Sequence, residues 1–155
     1  MRHAICAAVL MTLGSLLALE PAGALDGPAH PGKAWRDKEP AAFAEARSEG
    51  RHLVVVFGAE WCLPCEKISE IMNDDIVFGL LSKSFVPLYF DLTDLSDSNE
   101  ELQAKYHVFG LPAVIFVDAT GQELGRWDDN LSAVGFIAAM RSVVASHPLV
   151  SGDAR

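Results

Sequence analysis

Two of the three cysteines stand three positions apart, as Cys62 and Cys65 in "VVVFGAEWCLPCEKISE" (Val54–Glu70). Thiols at this spacing support three chemistries: cycling between dithiol and disulfide, supplying half of a tetrahedral metal site, or forming an inert bridge. A bridge that encloses only two residues removes little unfolded-chain entropy, so stability is a weak reason to place one here. A metal site needs further ligands. There is no second cysteine pair, and His30, His52, His107 and His147 are scattered along the chain. Dithiol redox exchange is therefore the leading reading, with metal binding and an inert pair as alternatives.

The flanking residues explain how such a pair is positioned. "HLVVVF" (His52–Phe57) is a continuous apolar, β-branched run and predicts a strand covered on both faces. A helix is expected from Cys62, with Ile68, Ile71 and Met72 at three- and four-residue spacing. At a helix N-terminus the unpaired N–H groups and the positive end of the dipole favour a thiolate, which makes Cys62 the attacking sulfur. Cys65, one turn further in, is expected to stay protonated and to resolve the mixed disulfide. Pro64 falls in the first turn, where proline costs little. Trp61 and Pro64 are expected to cover the sulfurs and leave one edge open to a partner.

The remaining elements follow from periodicity and punctuation. "PAAFAEARSEG" (Pro40–Gly50) predicts a short helix stopped by Gly50. The helix after Cys62 is expected to run on into "IVFGLLSKS", with a break or kink at Asn73-Asp74-Asp75. "FVPLYFDL" (Phe85–Leu92) predicts a strand with Pro87 near its start. "DLSDSNEELQAKYHV" predicts a helix opened by a capping box, Asp97 with Glu100 or Ser98 with Glu101. Ala113–Asp118, "ATGQ" and Glu123–Trp127 read as a hairpin, and Leu131–His147 as a closing helix ended by Pro148. The order α-β-α-β-α-β-β-α predicts an α/β domain whose mixed sheet carries helices on both faces.

At the N-terminus, "MRH" precedes an apolar stretch, Ala4–Leu19, and the small residues Ala22-Gly23-Ala24. That order predicts a signal peptide over residues 1–24, cleaved after Ala24; an uncleaved membrane anchor is the alternative. Cleavage would remove Cys6. A flexible lead-in over 25–39, one domain over 40–149 and a disordered tail over 150–155 complete the expected organisation. Twelve Lys and Arg stand against 21 Asp and Glu, a net charge of −9, and no basic cluster occurs. Nucleic acid and anionic membrane surfaces are therefore not expected partners.

A second motif, "VFGLPAVIFVD", sets Gly110-Leu111-Pro112 just before a strand. With Trp61-Cys62, Pro64-Cys65 and the order of elements from Leu53 to His147, the chain resembles the thioredoxin superfamily, and a thioredoxin fold is the expected architecture. It is similar, within that superfamily, to the C-terminal thioredoxin-like domain of the periplasmic reductase DsbD and its free-standing exported relatives. The shared features are the acidic, Thr-containing segment after the second strand and the run "GLPAVIFVDATGQEL".

The resemblance implies a Cys62–Cys65 redox disulfide, a cis-proline at Pro112 facing it, and Leu111 as the residue whose backbone docks the substrate strand. It also implies a periplasmic protein with no cofactor or metal, oxidised client proteins as substrates, and a separate membrane thiol-relay protein as electron donor. One departure stands out: the buried aspartate of many thioredoxins, credited with taking the resolving thiol's proton, is Val56 here, with Glu60, Glu66 or Glu70 as candidate replacements. No histidine lies between the cysteines, which favours reduction; an oxidase or isomerase on the same fold is the alternative.

Other candidates have plainer readings. The run "DLTDLSDSNEE" lacks the register and glycine of a calcium loop and is expected to be a solvated helix start. His107 is expected at the surface or as a cap, with tuning of Cys62 as the alternative, and Trp35 and Trp127 in packing. Phe109 is read either as an apolar docking rim or as core.

Overall fold

The computed structural model describes residues 35–94, 96–128 and 131–149. The expected signal peptide, the first part of the lead-in and the tail lie outside them. Nine elements follow in order: α1 (Glu39–Glu49), β1 (His52–Gly58), α2 (Leu63–Asn73), α3 (Asp75–Ser84), β2 (Phe85–Asp91), α4 (Asp97–Lys105), β3 (Ala113–Val117), β4 (Glu123–Trp127) and α5 (Ala133–Ser146).

The strands form one mixed sheet in the order β2-β1-β3-β4. β1 runs parallel to β2 and antiparallel to β3, and β3 and β4 form the expected hairpin. All seven residues of β1 are buried, as a central strand covered on both faces requires. Alternate residues divide between two layers. Val54, Val56, Tyr89, Val114 and Phe116 face a core shared with α2, α3 and α5. Leu53, Val55, Phe57, Leu88 and Ile115 face the other, closed by Ala42 and Ala46 of α1 and by Tyr106 after α4. The expected α/β layering is therefore present.

The break expected at Asn73-Asp74-Asp75 is present, and caps shift the other local details. The helical stretch after Cys62 splits in two at Asp74, whose Oδ1 accepts from the N–H groups of Ile76 and Val77 at 3.0 and 3.1 Å. That carboxylate satisfies the first donors of a new helix, so α3 starts afresh. The cap of α4 is Ser96, not Asp97 or Ser98, because Ser96 Oγ is the atom that accepts from Asn99 N–H. α4 also ends at Lys105, before His107, which has a left-handed φ of 51°.

The lead-in stops being a lead-in sooner than expected. Trp35 is buried, and Arg36 forms a parallel bridge beside β2 through Arg36 N–H to Pro87 O (3.0 Å) and Tyr89 N–H to Arg36 O (2.9 Å). Glu45 of α1 accepts from Arg36 Nε and Nη2 at 2.8 and 2.7 Å, and from Arg51 at 2.8 Å. Pro87 thus lies on an edge strand with its backbone turned outward, where a missing N–H breaks no bond to β1. Among the described residues, no helix is long and apolar enough to cross a membrane.

Candidate active site

β1 ends at Gly58, and four residues later the chain enters α2 with Cys62 as its N-cap. The Cys62 side chain makes no capping bond, so the first-turn N–H groups keep no side-chain acceptor. Leu63 and Pro64 occupy the first two helical positions, where proline gives up no helix bond. Cys62 and Cys65 are joined as a disulfide with S–S 2.03 Å. Both are buried, at 5% and 3% exposure. That burial comes from Ala59 and Leu111, which pack with the two cysteines. Trp61, next to Cys62 in the chain, is 63% exposed.

The loop before Cys62 is held by the segment after β2. Asp91 Oδ1 accepts from Thr93 N–H at 2.8 Å and from Thr93 Oγ1 at 2.5 Å. Thr93 Oγ1 in turn accepts from Glu60 N–H at 2.9 Å, and its carbonyl accepts from Trp61 Nε1 at 3.2 Å. Leu92 N–H donates to Gly58 O at 2.8 Å. Asn99 Nδ2 closes the segment by donating to the carbonyls of Asp91 and Asp94. The acidic run is therefore a brace. Sequence reasoning passed over Thr93 and Asp91 as supporting residues, although Asp-x-Thr is the signature of a local side-chain turn.

The proline loop reaches the same place from the other side of the sheet. The Leu111–Pro112 bond is cis. Leu111 packs on the cysteine cluster, and Pro112 and Cys65 share the wall of a small cavity. Leu63 (76% exposed) and Phe109 (96% exposed) join Trp61 as apolar side chains in solvent, so Phe109 is not part of the core. His107 faces elsewhere, in a groove with Glu39 and Thr120. Trp127 is buried against Phe136, with ring centroids 5.0 Å apart.

Behind Cys65 the cavity is walled by Val56, Gly58, Ser69, Tyr89 and Pro112. None of Glu60, Glu66 and Glu70 lines it; Glu60 is exposed, and Glu70 pairs with Lys67 at 2.8 Å. The polar side chains there are Tyr89 and Ser69, neither of which the sequence singled out. Burial first, then the negative charges of Asp91 and Glu60, pushes the Tyr89 phenol well above its ordinary range, so it remains a neutral O–H donor. Among the described residues, no group of three or more His, Cys, Asp or Glu side chains is gathered in metal-ligating proximity.

Comparison with known proteins agrees with this geometry. A family model described as a thioredoxin-like domain matches residues 39–143. The chain is 34% identical over 100 residues to the thiol:disulfide interchange protein DsbD 1 of Pseudomonas aeruginosa, a match that covers 64% of this chain and 16% of that one. The chain thus spans under a fifth of the length of the DsbD proteins it matches. Among solved structures, a thioredoxin from Thermus thermophilus superposes with a TM-score of 0.63 at 27% identity, covering 75% of this chain and 92% of that one. The oxidised C-terminal domain of DsbD from Neisseria meningitidis gives a TM-score of 0.57 at 22% identity, over 70% of this chain and 98% of the domain, a likeness of fold.

Proposed function

Because the chain belongs to the thioredoxin-like domain family, with a Cys62–Cys65 pair of the disulfide-oxidoreductase kind, we propose that it is an exported reductase of disulfides in periplasmic client proteins. The observation that carries this reading is the disulfide at the N-terminus of α2, beside Leu111-Pro112 and among exposed apolar side chains. Once reduced, Cys62 is stabilised as a thiolate by the helix terminus and attacks the client disulfide. Cys65 resolves the mixed disulfide and releases the reduced client. Trp61, Leu63 and Phe109 offer an apolar rim for an extended client segment, whose backbone pairs at Leu111. Pro64 and Pro112 frame the pair, and Glu60 lies beside it at the rim.

A separate membrane thiol-relay protein is the proposed electron donor. Export rests on the N-terminal pattern through Ala24. A mature N-terminus at Leu25, read by mass spectrometry of the protein recovered from the periplasm, would support it; a retained Met1 would favour the anchored alternative.

The test of function is the reduction potential of the Cys62–Cys65 pair, followed by Trp61 fluorescence in thiol buffers at pH 7. A value near about −270 mV makes the protein an electron donor to client disulfides. A value at or above about −180 mV reverses the direction and makes it an oxidant or isomerase. Absence of a two-electron transition removes the redox reading, and retained metal would then favour a thiol metal-binding module.

A further inference from the structure

We propose that the Tyr89 hydroxyl is the positioning group of the resolving thiol, donating a hydrogen bond to Cys65 Sγ as its thiolate forms, directly or through one water. This rests on the oxidoreductase reading above. Cys65 and Tyr89 line the same cavity of about 10 Å³, room for one water at most. The other walls include Val56, Pro112 and Ser69, so no carboxylate enters it. Gly58 is what lets the phenol reach this place. A Cβ there would lie 2.6 Å from Tyr89 Oη and 3.1 and 3.2 Å from two ring carbons. The glycine and the tyrosine are one device: the phenol occupies the space a side chain at 58 would take.

The step balances as follows. The Cys62 thiolate attacks one client sulfur, a Cys62–client bond forms, and the client's other sulfur leaves as a thiolate. Cys65 then loses its proton to solvent, and its thiolate attacks Cys62 Sγ. The Cys62–client bond breaks, and the second client sulfur leaves; both client thiolates take protons from solvent. Two electrons pass from the dithiol to the client disulfide. Tyr89 keeps its own proton throughout, because burial and the charges of Asp91 and Glu60 oppose its ionisation. A donor of this kind lowers the cost of the Cys65 thiolate. Besides Cys65 and Tyr89 no titratable side chain lines the cavity, and the charges that act on Tyr89 are those of Asp91 and Glu60.

The experiment is stopped-flow reaction of the reduced protein with 5,5′-dithiobis(2-nitrobenzoate), from pH 5 to 10. The first release of thionitrobenzoate reports Cys62 attack, and the second reports resolution by Cys65. Tyr89→Phe is expected to slow the second phase at pH 7 about tenfold and to move its midpoint about one pH unit higher. The first phase stays as in wild type. Gly58→Ala, which displaces the hydroxyl without deleting it, is expected to act in the same direction. If Tyr89→Phe does not fold, 3-fluorotyrosine at position 89 keeps the shape and strengthens the donor, and the midpoint should move to lower pH. An unchanged second phase in the folded variant overturns this proposal alone. A wild-type protein that releases only one thionitrobenzoate overturns the oxidoreductase reading and this proposal together.

Discussion

The indole N–H of Trp61 donates to the carbonyl of Thr93 at 3.2 Å. The residue before the candidate nucleophile is thereby fastened to the segment after β2, and the same threonine accepts from Glu60 N–H through its hydroxyl. The cysteine loop is held from outside itself, by a residue 31 positions beyond Cys62.

Thr93→Val keeps the shape and removes the hydroxyl. The Glu60 amide then loses its acceptor, and Asp91 loses one of its two donors from Thr93. A cost of about 1 kcal/mol is expected in denaturant unfolding. Hydrogen exchange at the Glu60 amide should quicken about fivefold or more, in line with that cost. An exchange rate equal to wild type would mean that the brace does not hold the loop.

Cys65→Ser should trap what the wild type only passes through. With the resolving sulfur gone, Cys62 captures an oxidised client and cannot release it. Non-reducing gels of the periplasm expressing this variant are expected to show covalent adducts that dithiothreitol removes. Cys62→Ser should show none. Equal adduct formation by both variants would contradict the assignment of Cys62 as the attacking sulfur.

Phe109 is 96% exposed, so Phe109→Ser has little folding energy to lose, and its stability should stay within about 0.5 kcal/mol of wild type. Its expected effect is on docking: a several-fold higher KM for a folded disulfide client, with kcat preserved. An unchanged KM would remove Phe109 from the docking rim.

Acid should weaken the fold through three carboxylates. Burial pulls the Glu39 carboxyl up, but hydrogen bonds from Lys105 and Tyr106 outweigh it and hold the group below its ordinary 4.5. The Arg36 hydrogen bonds do the same for Glu45, aided by Arg51. Asp118 is buried in part, yet the Thr120 hydroxyl and the turn amides keep it below 3.8. Below its ordinary value each group binds protons more readily in the unfolded chain, so protonation favours unfolding. Stability is expected to be fully present above about pH 4.5 and to fall as pH drops through the lowered folded values.

The alkaline side mirrors this: burial holds Tyr89 and Tyr106 protonated above their ordinary 10.0, so the unfolded chain ionises first and stability declines as pH rises past about 10. Thermal unfolding from pH 2 to 11 checks both flanks. A shallower acid limb in Glu39→Gln with Glu45→Gln, the Asp118 part remaining, would assign the difference to these pairs.

The sequence alone determined the parts whose cause is local. A β-branched run makes β1, three- and four-residue apolar spacing makes the helix after Cys62, and Gly50 ends α1 in a left-handed cap at φ 65°. Cys62-x-x-Cys65 and Leu111-Pro112 were legible as motifs for the same reason. Helix starts were less legible, since Asp74 and Ser96 win their caps only by reaching particular N–H groups among several suitable neighbours.

Tertiary structure decided what stands around the sulfurs. The parallel register sets Gly58 opposite Asp91, and the antiparallel one sets Phe57 opposite Ala113. The end of β1, the end of β2 and the start of β3 therefore meet at one end of the strands. That meeting delivers Thr93 to the cysteine loop, Leu111 to the sulfurs and Tyr89 to the cavity behind Cys65. Local patterns place a residue on a strand; only the pairing of strands distant in sequence determines which residues share a space.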